Sequence, residues 1–81
     1  MSASIVHEVT ALRGSRDFKG AVRLVRERAA ELDDDSRLPA LLQAFYAATE
    51  GGLAAGAHDL ATRIDAIDTD VPTVKTFLAA S

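Results

Sequence analysis

The sequence predicts an all-α fold, a small bundle of about five short helices in a single domain over residues 1–81. Apolar residues recur at helical spacing along the chain, and no segment alternates apolar and polar residues over a useful length. Short polar or glycine-containing stretches interrupt the apolar stripes at regular intervals. Of the 81 residues, 48% are hydrophobic and 26% are charged, a composition typical of one globular domain.

The first two helices are separated by a turn after Gly14. Ser4 is a suitable cap for the first helix and Gly14 a suitable end. The apolar residues of this helix are Ile5, Val6, Val9 and Leu12. The second helix carries one continuous apolar stripe and is expected to end at the polar run 33–36; the stripe consists of Phe18, Val22, Val25, Ala29 and Leu32.

Three further helices are predicted in the rest of the chain. Ser36 can cap the third, with Pro39 tolerated in its first turn, and Gly51 and Gly52 interrupt the chain after it. The buried side of the third helix is formed by Leu38, Leu41, Leu42, Phe45 and Thr49. The apolar face of the fourth is formed by Leu53, Ala57, Leu60, Ala61, Ile64 and Ile67. Asp70 and Pro72 open a last short helix that carries Val74, Phe77 and Leu78.

Composition excludes several classes of function. The chain has no cysteine, which excludes disulfides, cysteine-ligated zinc, iron–sulfur clusters and thiol catalysis. The longest stretch without a charged residue, residues 38–49, is too short to span a bilayer. Residues 1–7 contain neither a basic start nor a long apolar stretch, so no secretory signal is expected and the predicted location is the cytoplasm. The absence of asparagine is typical of a GC-rich bacterial or phage genome.

Alanine makes up an unusual share of the apolar residues, 16 of 39. Alanine favours helices and lets them approach closely, but each residue buries little apolar area. Since a domain of this size has little core in any case, we expect a partner protein or a second copy of the chain to complete the fold. The alternative is a compact helical fold of low stability.

A weak internal repeat relates residues 17–21 to residues 53–57. In each, a Gly-Ala pair opens an amphipathic helix that ends in an acidic triplet, at an offset of 35 to 36 residues. Ala21-x₃-Val25, Ala57-x₃-Ala61 and residues 41–48, with Phe45 in place of a glycine, resemble the tetratricopeptide repeat over residues 15–72. The resemblance implies stacked helical hairpins with a concave face that binds peptides or helices. The alternative is a plain bundle of helices of similar length.

Residues with catalytic or metal-binding chemistry do not form a convincing site. His58, Thr62 and Asp65 share a helix face, but the chain lacks the paired histidines of a zinc helix. It also lacks a G-x-S-x-G turn and a phosphate-binding loop preceded by a strand. We therefore predict a non-enzymatic protein without a metal or cofactor.

Charge is distributed unevenly along the chain. Residues 1–28 carry a net charge of +3 and residues 29–81 a net charge of −6, which gives −3 overall. Four basic residues, here called the basic stripe, lie along the side of the second helix opposite its apolar stripe: Arg16, Lys19, Arg23 and Arg26. The basic stripe is suited to an acidic protein surface or to phosphates. The alternative is a solvated face, supported by local pairs such as Arg23 with Glu27.

Tyr46 lies off the main apolar line of the third helix, beside Gln43 and Ala47. An amphipathic ring at this position suits a contact with another helix, and the alanines around it would permit close approach. The alternative is that Tyr46 covers the edge of the core.

The predicted function is a protein–protein interaction module, a small helical adaptor, chaperone or inhibitor that occupies a partner protein's surface. The partner would present an acidic or helical surface, and a homodimer is also compatible with these features. The alternative is a small nucleic-acid-binding regulator that uses the basic stripe. Nucleic acid is less favoured because the chain is acidic overall and no recognition-helix arrangement is evident. No membrane association is predicted.

Overall fold

The computed structural model describes residues 2–80, with side chains from Ser4 onward. These residues form five α-helices and one 3₁₀ turn, and they contain no strand: α1 (Ser2–Gly14), α2 (Phe18–Arg28), the 3₁₀ turn (Ala29–Glu31), α3 (Asp34–Glu50), α4 (Ala54–Ile67) and α5 (Pro72–Ala80). The prediction of a small all-α bundle is therefore confirmed. The expectation for residues 1–7 includes Met1, which lies outside the described residues.

Two predicted helix starts are wrong. Helix α1 begins at Ser2, so Ser4 lies within it and does not cap it. Helix α3 begins at Asp34, because the Asp33 carboxylate accepts a hydrogen bond from the Ser36 amide at 2.9 Å and so caps the helix earlier than Ser36 could. The predicted end of α1 at Gly14 is confirmed.

The second helix is shorter than its apolar stripe predicts. The α-helix ends at Arg28 and the chain continues through the single 3₁₀ turn, yet Leu32 at the end of the stripe is still buried. A tighter turn thus keeps the apolar residues facing the core while it redirects the chain towards α3.

Helix α3 lies at the centre of the molecule, in contact with α1, α2 and α4, while α5 packs against α4. Its fully buried alanines are Ala40, Ala44, Ala47 and Ala48. Because these side chains are small, neighbouring helices can approach closely, so the close approach that the alanines permit is used within the chain. Phe45 also meets Phe77 of α5 edge to face, with ring centroids 5.3 Å apart.

The α1–α2 and α3–α4 turns have the same backbone geometry. Arg16 and Gly52 both adopt the left-handed conformation, with φ of 68° and 69°. In the first turn the Asp17 amide donates to the Leu12 carbonyl at 2.8 Å, and in the second the Leu53 amide donates to the Ala48 carbonyl at the same distance. Both turns are Schellman motifs, which satisfy the last carbonyls of a helix.

Four pairs of buried residues in the two hairpins are related by the same offset of 36 residues. Each of these residues is at most 3% exposed, and the pairs are Ile5 with Leu41, Val9 with Phe45, Ala21 with Ala57, and Val25 with Ala61. Other positions differ: at the same offset Val22 is buried and His58 is exposed, so the two hairpins share one turn geometry and only part of their buried positions. The repeat begins in α1, upstream of the segment from residue 15 that the sequence analysis delimited.

Candidate functional site

A groove of about 570 Å³ lies between α2 and the beginning of α4. Its charged wall contains Lys19, Arg23 and Arg26, three of the four members of the basic stripe. We call it the basic groove. Its remaining lining is largely apolar, with Glu27 as the one carboxylate: Val22, Glu27, Leu53, Ala54, Ala55 and Gly56.

Small residues of α4 create the space in this groove. Gly56 is buried, and a β-carbon at its position would lie 3.4 Å from Cγ1 of Val22, so α2 and α4 pass close to each other there. Ala54 and Ala55, in the same turn, are exposed and short. The cationic side chains of α2 therefore border an open space with an apolar floor.

Two of the cations in the basic groove are not neutralised. In the part of the chain that the structure describes, Lys19 and Arg23 have no ion-pair or hydrogen-bond partner, so the local pair of Arg23 with Glu27 does not form. Nε of Arg26 lies 3.4 Å from Oδ2 of Asp59, which also lies 3.1 Å from Nε of Arg63. The positive charge is thus least compensated at the Lys19–Arg23 end.

The first turn of α4 adds to this positive potential. In the α1–α2 turn, Oδ1 of Asp17 accepts a hydrogen bond from the Gly20 amide at 3.0 Å and caps α2. At the equivalent place before α4 stands Leu53, and no side chain caps this helix. The first turn of α4 also contains no acidic residue, so its partial positive charge is not offset within the helix.

Arg16, the fourth member of the basic stripe, lies in the α1–α2 turn and does not line the basic groove. Its guanidinium carbon lies 5.7 Å from the centroid of the Phe18 ring, a cation–π distance. The structure therefore brings three of the four predicted basic residues together and places the fourth at the adjoining turn.

The second predicted surface, around Tyr46, is engaged within the chain. Nε and Nη2 of Arg13 donate to the two carboxylate oxygens of Glu50 at 3.0 and 2.6 Å, and Nη1 donates to Oε1 of Gln43 at 3.0 Å. The Arg13 guanidinium also lies 5.1 Å from the centroid of the Tyr46 ring. Ala47 is 0% exposed and offers no surface to a partner. Arg13 was missed in the sequence analysis because its partners are 30 to 37 residues away.

The interaction between Arg13 and Glu50 shifts the pKa values of both side chains. Hydrogen bonds from Arg13 lower the pKa of the Glu50 carboxyl below its ordinary value, and the charge of Arg13 adds to the effect. The same hydrogen bonds raise the pKa of Arg13. The Arg13 guanidinium therefore links the C-terminal end of α1 to the C-terminal end of α3. Gln43 and Tyr46 contact the same guanidinium.

A further polar face lies on α4 and carries His58, Thr62 and Asp65. The Thr62 hydroxyl donates to the carbonyl of His58 at 2.9 Å and so is directed to its own helix. Residues 2–80 contain no cluster of three side chains suited to a metal ion. No helix within this range is both long and apolar enough to cross a membrane.

A comparison with protein-family models, curated proteins and solved structures finds no match for the chain.

Proposed function

We propose that the chain is a non-enzymatic interaction module that binds an acidic surface of another protein through the basic stripe. The observation that carries the proposal is that Lys19 and Arg23 have no partner among the described residues and lie beside an open groove with an apolar floor. Such a module would act as an adaptor, chaperone or inhibitor by occupying its partner's surface.

Charge and apolar area would contribute differently to this binding. Cations at the rim accelerate encounter with an acidic surface and disfavour basic ones. Apolar contact with Val22 and Leu53 would supply the desolvated centre that most protein interfaces need. The combination favours a protein partner over nucleic acid, because no aromatic side chain lines the basic groove to stack on a base.

We further propose that the two hairpins form a short stack of the tetratricopeptide kind. The shared turn geometry at Arg16 and Gly52 and the four matching pairs of buried residues support this assignment. In such a stack, neighbouring hairpins bury one another's apolar faces and their exposed grooves are available to a ligand.

A pull-down of the tagged chain from its native cells, performed with and without nuclease treatment, tests the binding proposal. Arg23→Glu should lose the captured partner, while Lys75→Glu should retain it, since the exposed Lys75 undergoes the same charge change on α5, away from the basic groove. Circular dichroism would verify that both variants are folded.

Three results would contradict the proposal. Full retention of the partner by the Arg23→Glu variant would make the basic stripe a solvated face. Capture of nucleic acid, with release that rises steeply with salt concentration, would contradict binding to a protein. Recovery of the tagged chain alone, together with a dimer in sedimentation velocity, would assign the surface to self-association.

A further inference from the structure

We infer that the basic groove accepts one short acidic segment of the partner, with an apolar side chain inserted against Val22 and Leu53. This inference rests on the proposed function and specifies the form of the partner. A volume of about 570 Å³ falls within the range of ligand clefts, and the groove is widely open to solvent. The partner would therefore lay part of its chain along the groove between α2 and α4.

The spacing of the cations fixes the length of the segment. Lys19, Arg23 and Arg26 lie at i, i+4 and i+7 on α2, so at the helical rise their row is about 10 Å long. Carboxylates on three to four residues of an extended chain span this distance. The occupant that fits the charge of the row is a segment with two or three acidic residues.

The charges around the groove also orient the segment. At one end Arg26 is already paired with Asp59, and Glu27 adds a further carboxylate to the wall. At the other end Lys19 and Arg23 are unpaired, within the residues that the structure describes. The acidic residues of the segment should therefore lie nearest Lys19 and Arg23.

The apolar contact is expected on the α4 side. Ala54, Ala55 and Gly56 are short and leave the volume beside Val22 and Leu53 open. A single apolar side chain, flanked by acidic residues, would cover this floor. A larger side chain on α4 would compete for the same space without any change in charge.

The substitution Ala55→Leu tests the groove separately from the basic stripe, and Ala66→Leu is its matched control. Both alanines are exposed on α4, but Ala66 lines a different, smaller groove of about 290 Å³. In the pull-down, Ala55→Leu should weaken capture of the partner about tenfold, and Ala66→Leu should leave it unchanged. Capture that survives Ala55→Leu but not Arg23→Glu would overturn the groove inference and leave the proposed function standing.

A direct measurement uses a capped peptide of the sequence Glu-Leu-Glu-Glu and amide NMR spectra of the isotope-labelled chain. Shifts should concentrate at Ala54, Ala55 and Gly56 and disappear with the matching Gln-Leu-Gln-Gln peptide. The inference is overturned if the acidic peptide causes no shifts at millimolar concentration, or causes them elsewhere. It is also overturned if sedimentation velocity shows a dimer that Ala55→Leu abolishes, because the occupant would then be a second copy of the chain.

Discussion

Arg16 and Gly52 occupy the same left-handed position in two equivalent turns, 36 residues apart. Glycine is the residue that this position ordinarily favours, since a β-carbon is crowded there. At the first turn the chain instead has an arginine, whose guanidinium lies over the ring of Phe18. The turn therefore keeps a cation beside the basic groove in a strained backbone conformation.

Replacement of Arg16 by glycine should stabilise the protein. Relief of the left-handed strain outweighs the greater freedom of glycine in the unfolded chain, and we expect a gain of up to about 1 kcal/mol. In a domain of this size such a gain raises Tm by about 4–8 °C. Thermal unfolding followed by circular dichroism measures it. The Arg16→Ala variant, which keeps the β-carbon, should show no such gain, and an equal gain in both variants would refute the strain argument.

Loss of the Asp17 cap should destabilise α2. The carboxylate accepts the Gly20 amide at 3.0 Å, and removal of an N-cap acceptor costs about 1 kcal/mol. Urea denaturation of Asp17→Ala would measure the loss. Asp17→Asn should retain most of the stability because asparagine also caps helices, so a similar loss in both variants would argue against a capping role.

The Arg13–Glu50 pair should make the free energy of unfolding depend on pH in the acidic range. Since the pKa of Glu50 is lowered in the folded protein, its contribution is fully present above the ordinary glutamate pKa of about 4.3. That contribution is lost as the pH falls through the lowered value in the folded state. Urea titrations between pH 2 and 7, compared for the wild type and Glu50→Gln, should show a shallower acid loss in the variant.

A double-variant cycle identifies the partner responsible for that acid dependence. Arg13→Gln should reduce it as Glu50→Gln does, and the two substitutions together should have little further effect. Because Arg13 also contacts Gln43 and Tyr46, its substitution should cost additional stability at neutral pH. Additive effects of the two variants on the acid loss would show that the pair is not its source.

Enlargement of Ala47 should destabilise the fold even without a partner. Its side chain is 0% exposed, so Ala47→Leu would overfill the contacts of α3 at a cost of about 1–3 kcal/mol. The same substitution at the exposed Ala54 should change the free energy of unfolding little. If Ala47→Leu were neutral in the isolated chain, the residue would have to be more accessible than its burial indicates.

Local signals in the sequence were sufficient for the fold class and for most helix positions. The apolar spacing of Phe18, Val22 and Val25 predicts α2, and Gly51–Gly52 predicts the end of α3, because both depend on neighbours within a few residues. The start of α3 was predicted three residues late, since either Asp33 or Ser36 can cap a helix and only the backbone conformation selects between them.

Only the α2 side of the basic groove could be predicted from the sequence. Helical spacing placed Lys19, Arg23 and Arg26 on one side of α2, because that relation lies within a single helix. The approach of Gly56 and Leu53, which turns this side into a groove, depends on the packing of α2 and α4 around α3. Gln43 and Tyr46 were predicted to face a partner, but the tertiary structure supplies Arg13 as their neighbour.

The sequence by itself thus determined an all-helical chain with a repeat and a row of cations. The tertiary structure decided which cations remain unpaired, which alanines are buried, and where the groove opens. The physical reason is the distance along the chain over which each interaction acts. Helix periodicity and capping act over four residues or fewer, whereas the Arg13–Glu50 pair joins residues that are 37 apart. Lys19 and Arg23 face solvent beside α4 because α2 and α4 both pack against α3.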